Sequence, residues 1–274
     1  MSLKNILYIS DFFVNEYRGG AELSDDAVIN YLEKSGFNVK CINSVNFDPD
    51  IDKADTYIIS NFTGLSEDKK NYLKENKYII IERDQKYVKS RNTAEYLNFI
   101  APQTEVINKD FYRNAKKVFC LTNHQADLFL KHINLPNVFV LGCTQFSRKH
   151  MEILRKNLNN KKNNRYAVID GKRKDKAIAL CQREGFKYDI IERMSYDELI
   201  TTLSGYKGLI FFSHAVESCC RLLIEARVLG LKIVTDDRNG CTYESWFKAK
   251  KGEDLLNFLE IKVDRVLKEI RENL

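Results

Sequence analysis

Two glutamates separated by seven residues carry the clearest chemical signal in the chain. Glu217 stands just before a helical pattern that starts near Ser218, and Glu225 lies inside it. Eight residues of helix rise about 12 Å, comparable to the reach from the sugar to the ribose of a nucleoside diphosphate sugar. A carboxylate at each end can accept hydrogen bonds from vicinal hydroxyls. Between them, the amides at the expected helix start, over Ser218, Cys219, Cys220 and Arg221, would face a pyrophosphate. Arg221 either adds positive charge there or is a solvated side chain. The plainer alternative is a buried strand–helix–strand unit with two incidental glutamates, because short motifs recur by chance.

The elements that must position these carboxylates read clearly. Leu209 to Phe212 is a β-rich apolar run, with Ser213 and His214 on the loop at its end. Leu222, Leu223, Ala226 and Leu229 recur at helical spacing, Gly230 stops the helix, and Leu231 to Thr235 is a second buried strand. One strand–helix–strand unit of this kind belongs in a parallel sheet. The chain opens the same way. Ile6 to Ile9 predicts a strand, Ala21 to Lys34 a helix ended by Gly36, and Phe37 to Ile42 the next strand. The turn before that first helix is Arg18-Gly19-Gly20-Ala21-Glu22. Its glycines let a phosphate or sugar approach backbone amides, or serve turn geometry alone. GxGxxG is absent, which disfavours a dinucleotide fold.

Glu217, seven intervening residues, Glu225, Ala226, and Leu229-Gly230 followed by a strand resemble the signature of retaining GT-B glycosyltransferases. Gly19-Gly20-Ala21-Glu22 is similar to that family's GGAE turn. The resemblance implies an α/β, GT-B architecture: two Rossmann-like domains facing across a cleft, with the nucleotide sugar on the C-terminal one and the acceptor on the other. Ser218-Cys219-Cys220 stands where the family has a glycine-rich turn. Gly171-Lys172-Arg173-Lys174-Asp175-Lys176 stands where the family holds the donor diphosphate with cations. Lys172 and Lys176 are the positional matches, and Arg173 or Lys174 could exchange roles with them. Lysine keeps the charge but lacks arginine's bidentate fork. Arg83 takes the place of a family histidine near the acceptor, and Asp84 matches the aspartate beside it. Asp84 would orient or deprotonate an acceptor hydroxyl, or is a solvated loop acid. His124, near another strand end, touches substrate or caps a helix. In these terms Glu217 and Asp84 are the catalytic candidates. Gly19, Gly20, Lys172, Lys176, His214, Ser218, Cys219, Cys220 and Glu225 are expected at the donor, Arg83 and His124 at the acceptor. The resemblance implies transfer with retention of configuration, no cofactor and no obligatory metal, with the leaving phosphate helping to take the acceptor proton.

Composition narrows the class. The chain has 274 residues, 44% of them hydrophobic, enough for two domains. Seven cysteines, without a CxxC pair, fit reduced thiols and a cytoplasmic setting, a host's cytoplasm if the protein is viral. No stretch approaches a transmembrane span and no signal pattern follows Met1. Asp48-Pro49-Asp50 reads as a turn, not a metal motif, and no His/Cys cluster has metal spacing.

The remaining elements predict a domain at 1–150, a basic linker at 151–165 around RKNLNNKKNNR, a nucleotide-sugar domain at 166–252, and a terminal helix at 253–274 that could cross back to the first domain. Further helices are expected at Ser66 to Glu75, Glu105 to Ala115 and Ser195 to Ser204.

The formal charge is +6, which fits a polyanionic acceptor, an anionic membrane surface, or a lysine-rich enzyme. Lys86, Lys89, Arg91, Arg113, Lys116 and Lys117 supply cations to the first half. A compact basic transferase resembles viral enzymes that glycosylate modified bases in DNA, and a hydroxymethylated base in double-stranded DNA is one expected acceptor. A polysaccharide or glycolipid is the other. A non-catalytic nucleotide-sugar-binding module remains open, and a phosphorylase would want a larger chain.

Overall fold

A computed structural model describes residues 4–171 and 173–274. The chain divides into two units. One runs to Phe146 and takes in Val263–Leu274; the other is Ser147–Lys262.

The first unit is built on six parallel strands: β1 (Asn5–Ser10), β2 (Asn38–Asn43), β3 (Thr56–Ile59), β4 (Tyr78–Ile81), β5 (Lys117–Cys120) and β6 (Val138–Val140). Their order is β2-β1-β3-β4-β5-β6. Every residue of β3 and β4 is buried. That is why these segments read as continuous apolar runs and not as alternation: helices cover both faces of a parallel sheet. The helices are α1 (Gly20–Lys34), α2 (Glu67–Lys74), α3 (Lys109–Asn114) and α4 (Asn123–His132). Local chemistry sets their starts. The Ser66 and Thr122 side chains accept from the backbone N–H groups of Lys69 and Gln125. Thr122 is thus the cap of α4, and His124 lies one turn position inside the helix. The helix expected from Glu105 begins only at Lys109. Gln103–Glu105 is a separate 3-10 turn, and Asn108 takes a left-handed φ of 57° that breaks any continuous helix.

The second unit has four parallel strands: β7 (Tyr166–Ile169), β8 (Tyr188–Ile191), β9 (Gly208–Ile210) and β10 (Lys232–Val234), in the order β10-β9-β7-β8. Its helices are α5 (Arg148–Lys156), α6 (Lys174–Glu184), α7 (Tyr196–Ser204), α8 (Arg221–Val228) and α9 (Ser245–Ala249). The last helix, α10 (Gly252–Glu272), runs through the division between units. Ser195 and Glu198 form the capping box that opens α7. Gly230, at φ 78°, ends α8 in the left-handed region where a side chain would be strained.

The basic junction is largely exposed, begins with a helix end, and is fastened to the second unit. Its first part is α5, opened by a Ser147–His150 capping box. Its last part is fastened to the second unit. Lys162 Nζ donates to the carbonyls of Ser204 (2.6 Å) and Leu229 (2.7 Å), closing the C-terminal ends of α7 and α8. Arg165 pairs with Asp189. Lys162's capping role is one that no local pattern reveals.

In each sheet the first strand of the unit lies inside, and the chain leaves it to opposite sides. The reversal falls between β1 and β3 in one sheet and between β7 and β9 in the other. At such a switch point the loops beyond the strand ends diverge and leave a crevice for ligands. The turns after β1 and β7, and the loops after β3 and β9, are therefore where chemistry is expected.

Candidate active site

The loops after β7 and β9 enclose a pocket of about 180 Å³ at the second unit's switch point. Gly171, Arg173 and Lys174 line one side; Phe212, His214 and Glu217 line the other. The Glu217 backbone is held on both sides: its N–H donates to the Arg238 carbonyl (2.7 Å) and its carbonyl accepts from Gly240 N–H (2.9 Å). The side chain is left exposed on that fixed backbone. The loop is braced further by Asn239, fully buried, which accepts from Ser213 Oγ (2.7 Å) and donates to Thr235 Oγ1 (2.8 Å). His214 is exposed, and its carbonyl accepts from Arg238 Nη1 (2.7 Å).

The cations of the basic turn separate by geometry. Arg173 Nη1 donates to the Ser213 carbonyl (3.0 Å) and to Asp236 Oδ2 (3.2 Å), which keeps its guanidinium at the pocket wall. Lys176 Nζ lies 3.5 Å from the same Asp236 oxygen and 4.3 Å from the centre of the Phe212 ring. Lys174 pairs back to Asp170 (2.7 Å). Lys172 lies outside the described residues. Arg173, which the sequence leaves interchangeable with Lys172 and Lys176, is the cation held at the pocket, and Asp236, its partner, has no local signature.

The second glutamate is placed differently from expectation. Helix α8 begins at Arg221, so Ser218, Cys219 and Cys220 are buried loop residues and Glu217 stands four positions ahead of the first helical residue. The spacing of the two glutamates is therefore not a purely helical rise. Glu225 is 3% exposed. Its Oε1 accepts from Tyr196 Oη (3.1 Å) and Arg221 Nε (3.3 Å). Burial raises its carboxyl above the usual range, against the opposing pull of Arg221 and Tyr196. Arg221 is itself buried and its Nη2 lies 3.3 Å from His150 Nδ1, while the His150 and Tyr196 rings are 4.5 Å apart. Burial, aided by the Arg221 charge, pushes the His150 imidazole down to about 3. Glu225 thus ties α8 to α7, and Arg221 carries the contact on to α5. Arg221 is not a solvated side chain.

The corresponding edge of the first unit is filled by its own ions. Arg83 directs its Nε (3.0 Å) and Nη2 (2.5 Å) at Asp25 Oδ1 and its Nη1 at Gln145 Oε1 (2.6 Å). Tyr8 Oη donates to the same Asp25 oxygen (2.7 Å). Arg83 is buried, so its guanidinium is an internal partner of α1. Asp84 pairs with Lys86 (3.0 Å) and with Arg91. Burial alone would raise its carboxyl, but the two cations outweigh it and hold the group below the usual range. That makes Asp84 an ionised, weakly basic carboxylate. Lys86 is 2% exposed and also reaches Glu82 (3.1 Å), which accepts from Tyr112 Oη (2.5 Å).

At the Gly19-Gly20 turn, a Cβ on Gly19 would lie 2.4 Å from Glu22 Oε2 and 2.7 Å from the Tyr17 ring, so a side chain there would have to displace both. The close neighbour is Glu22, whose burial raises its carboxyl above the usual range. The His124 ring packs edge-on to Phe99, 6.4 Å between centres. Among the described residues, no group of three or more His, Cys, Asp or Glu side chains is placed to hold a metal ion, and no helix is long and apolar enough to cross a membrane.

No protein family model matches the chain, and no curated protein matches it. Solved structures do. AviGT4, a glycosyltransferase involved in avilamycin A biosynthesis, aligns with a TM-score of 0.57 over 98% of this chain and 96% of its own, at 8% identity. An α-glucosyltransferase in complex with UDP and a 13-mer DNA containing an HMU base aligns at 0.52 over 97% and 90%, at 10% identity. The UDP-GlcNAc 2-epimerase of Methanocaldococcus jannaschii, in complex with UDP-GlcNAc and UDP, aligns at 0.51 over 95% and 92%, at 13% identity. The chain therefore has the α/β fold of the GT-B glycosyltransferases over nearly its whole length. At these identities the likeness is one of fold.

Proposed function

We propose that the protein is a retaining glycosyltransferase that moves a sugar from a nucleoside diphosphate sugar to an acceptor hydroxyl. The observation that carries this reading is the pocket of the second unit, where an exposed carboxylate, Glu217, and a guanidinium, Arg173, line one cavity at the switch point. A sugar needs an acceptor of hydroxyl hydrogen bonds; a diphosphate needs fixed positive charge. In this reading Glu217 fixes the donor sugar. Arg173 and Lys176 meet the negative charge that grows on the departing diphosphate. Asp84, ionised and ion-paired, orients an acceptor hydroxyl and is a poor proton acceptor, which leaves the proton to the leaving phosphate. The test is release of nucleoside diphosphate from UDP-glucose or ADP-glucose, with and without acceptor, by wild type and Glu217→Gln. Loss of release in the variant, with an unchanged melting midpoint, supports the assignment; equal release by both contradicts it.

For the acceptor we propose a hydroxymethylated base in double-stranded DNA. The net charge and the DNA bound by a neighbour of the same fold support it. The cations expected to hold phosphates are partly committed: Lys86 is buried, Lys89 pairs with Glu105, Arg91 with Asp84 and Arg113 with Asp110. Binding to duplex DNA should therefore fall only shallowly with salt, with few phosphates neutralised. Retention by anionic vesicles but not by DNA would transfer the proposal to a glycolipid.

The enclosure of Arg83, which stands where the family has an acceptor-side histidine, favours a second reading, a nucleotide-sugar-binding module without turnover. Saturable binding of a nucleotide sugar with no release of nucleoside diphosphate would select it.

A further inference from the structure

Asp236 stands in an unusual position for a site built to take an anion. One of its oxygens, Oδ2, lies 3.2 Å from Arg173 Nη1 and 3.5 Å from Lys176 Nζ. Its other oxygen accepts from the Arg238 N–H (3.4 Å), which ties the carboxylate to the turn that also holds the Glu217 backbone. Both cations have a second attachment independent of Asp236. Arg173 donates to the Ser213 carbonyl, and Lys176 lies over the Phe212 ring. If the carboxylate let go, Arg173 would keep its place in the pocket wall and Lys176 its place over Phe212, which lines the same pocket. A carboxylate oxygen and a phosphate oxygen make the same kind of charge-assisted bond to these groups.

We propose that Asp236 is a built-in counter-anion of the diphosphate site: it occupies Arg173 and Lys176 in the empty protein and yields them to the diphosphate of an incoming ligand. The proposal rests on the donor-site reading of this pocket and adds a specific consequence. Two cations brought together without an anion would repel each other, so Asp236 keeps the empty site charge-paired. The same carboxylate then competes with, and repels, the bound diphosphate. It lowers affinity for that group and favours its departure after the sugar has left.

The experiment is calorimetric titration of inorganic pyrophosphate and of UDP into wild type, Asp236→Asn, Asp236→Ser and Arg173→Gln. Both Asp236 variants should bind pyrophosphate more tightly than wild type, by about tenfold at low salt, as expected when a unit charge close to a half-exposed site is removed. Arg173→Gln should bind more weakly than wild type. Melting midpoints check that each variant is folded. Wild-type binding that is unchanged or weakened in both Asp236 variants overturns the counter-anion and leaves the donor site standing. Failure of wild type and Asp236→Asn alike to bind either probe overturns both.

Discussion

The two units carry the same kind of parallel sheet but treat charge at their strand ends in opposite ways. In the first, Asp25–Arg83 and Glu82–Lys86 are buried pairs, closed by Tyr8, Gln145 and Tyr112. In the second, Glu217 and His214 are exposed, Arg173 lines the pocket, and Lys176 shares the Asp236 carboxylate with it. Charges in the first edge are closed against one another; those of the second stay partly open to solvent. The same residue types therefore mean different things at equivalent positions, and burial with pairing tells them apart.

The largest expected effect breaks the first edge. Asp25→Ala leaves the Arg83 guanidinium buried without its counter-charge and should cost roughly 3–5 kcal/mol of stability by urea denaturation. A loss under about 1 kcal/mol would show that the pair is not sealed. Glu225 sharpens the comparison, because it lies in the second unit yet is built like the first edge. Glu225→Ala should also destabilise by a few kcal/mol, through the buried Arg221 it abandons. Tyr196→Phe should cost about 1 kcal/mol, one hydrogen bond. If Glu225→Ala instead leaves the midpoint unchanged and abolishes nucleotide binding, the carboxylate belongs to the ligand.

The His150 ring gives a pH signature. Its folded value, about 3, lies below the ordinary 6.5, so protonation favours the unfolded chain. The stability it lends is present above pH 6.5 and is lost as pH falls from there toward 3, by up to about 1.4 kcal/mol per pH unit. His150→Gln should flatten the stability profile over that window. The smallest effect is the converse of the first: Glu217→Gln should change stability by less than about 0.5 kcal/mol, because its side chain is exposed.

Much of the framework was legible in the sequence. Continuous apolar runs such as Ile6 to Ile9 marked the buried strands, and Ser66 and Ser195 marked helix starts, because both signals are local. What was not legible depended on distant partners. Arg83 and Asp25 are 58 positions apart, and nothing around Arg83 reveals that its guanidinium is enclosed. Glu225 is sealed by Tyr196 from another helix. The junction around Lys162 reads as solvated until the helix ends it closes are known. Arg173 was one of four cations within five residues, and the carbonyl of Ser213, 40 positions on, singles it out.

The most direct test of the central claim is a thermal-shift titration of wild type and Arg173→Gln with UDP-glucose and ADP-glucose. A ligand that binds only the folded state raises the midpoint in proportion to its occupancy. A saturable rise for one of the two sugars in wild type, lost in Arg173→Gln, is the predicted result. No rise with either, or an equal rise in the variant, would contradict a donor site in the second unit's pocket.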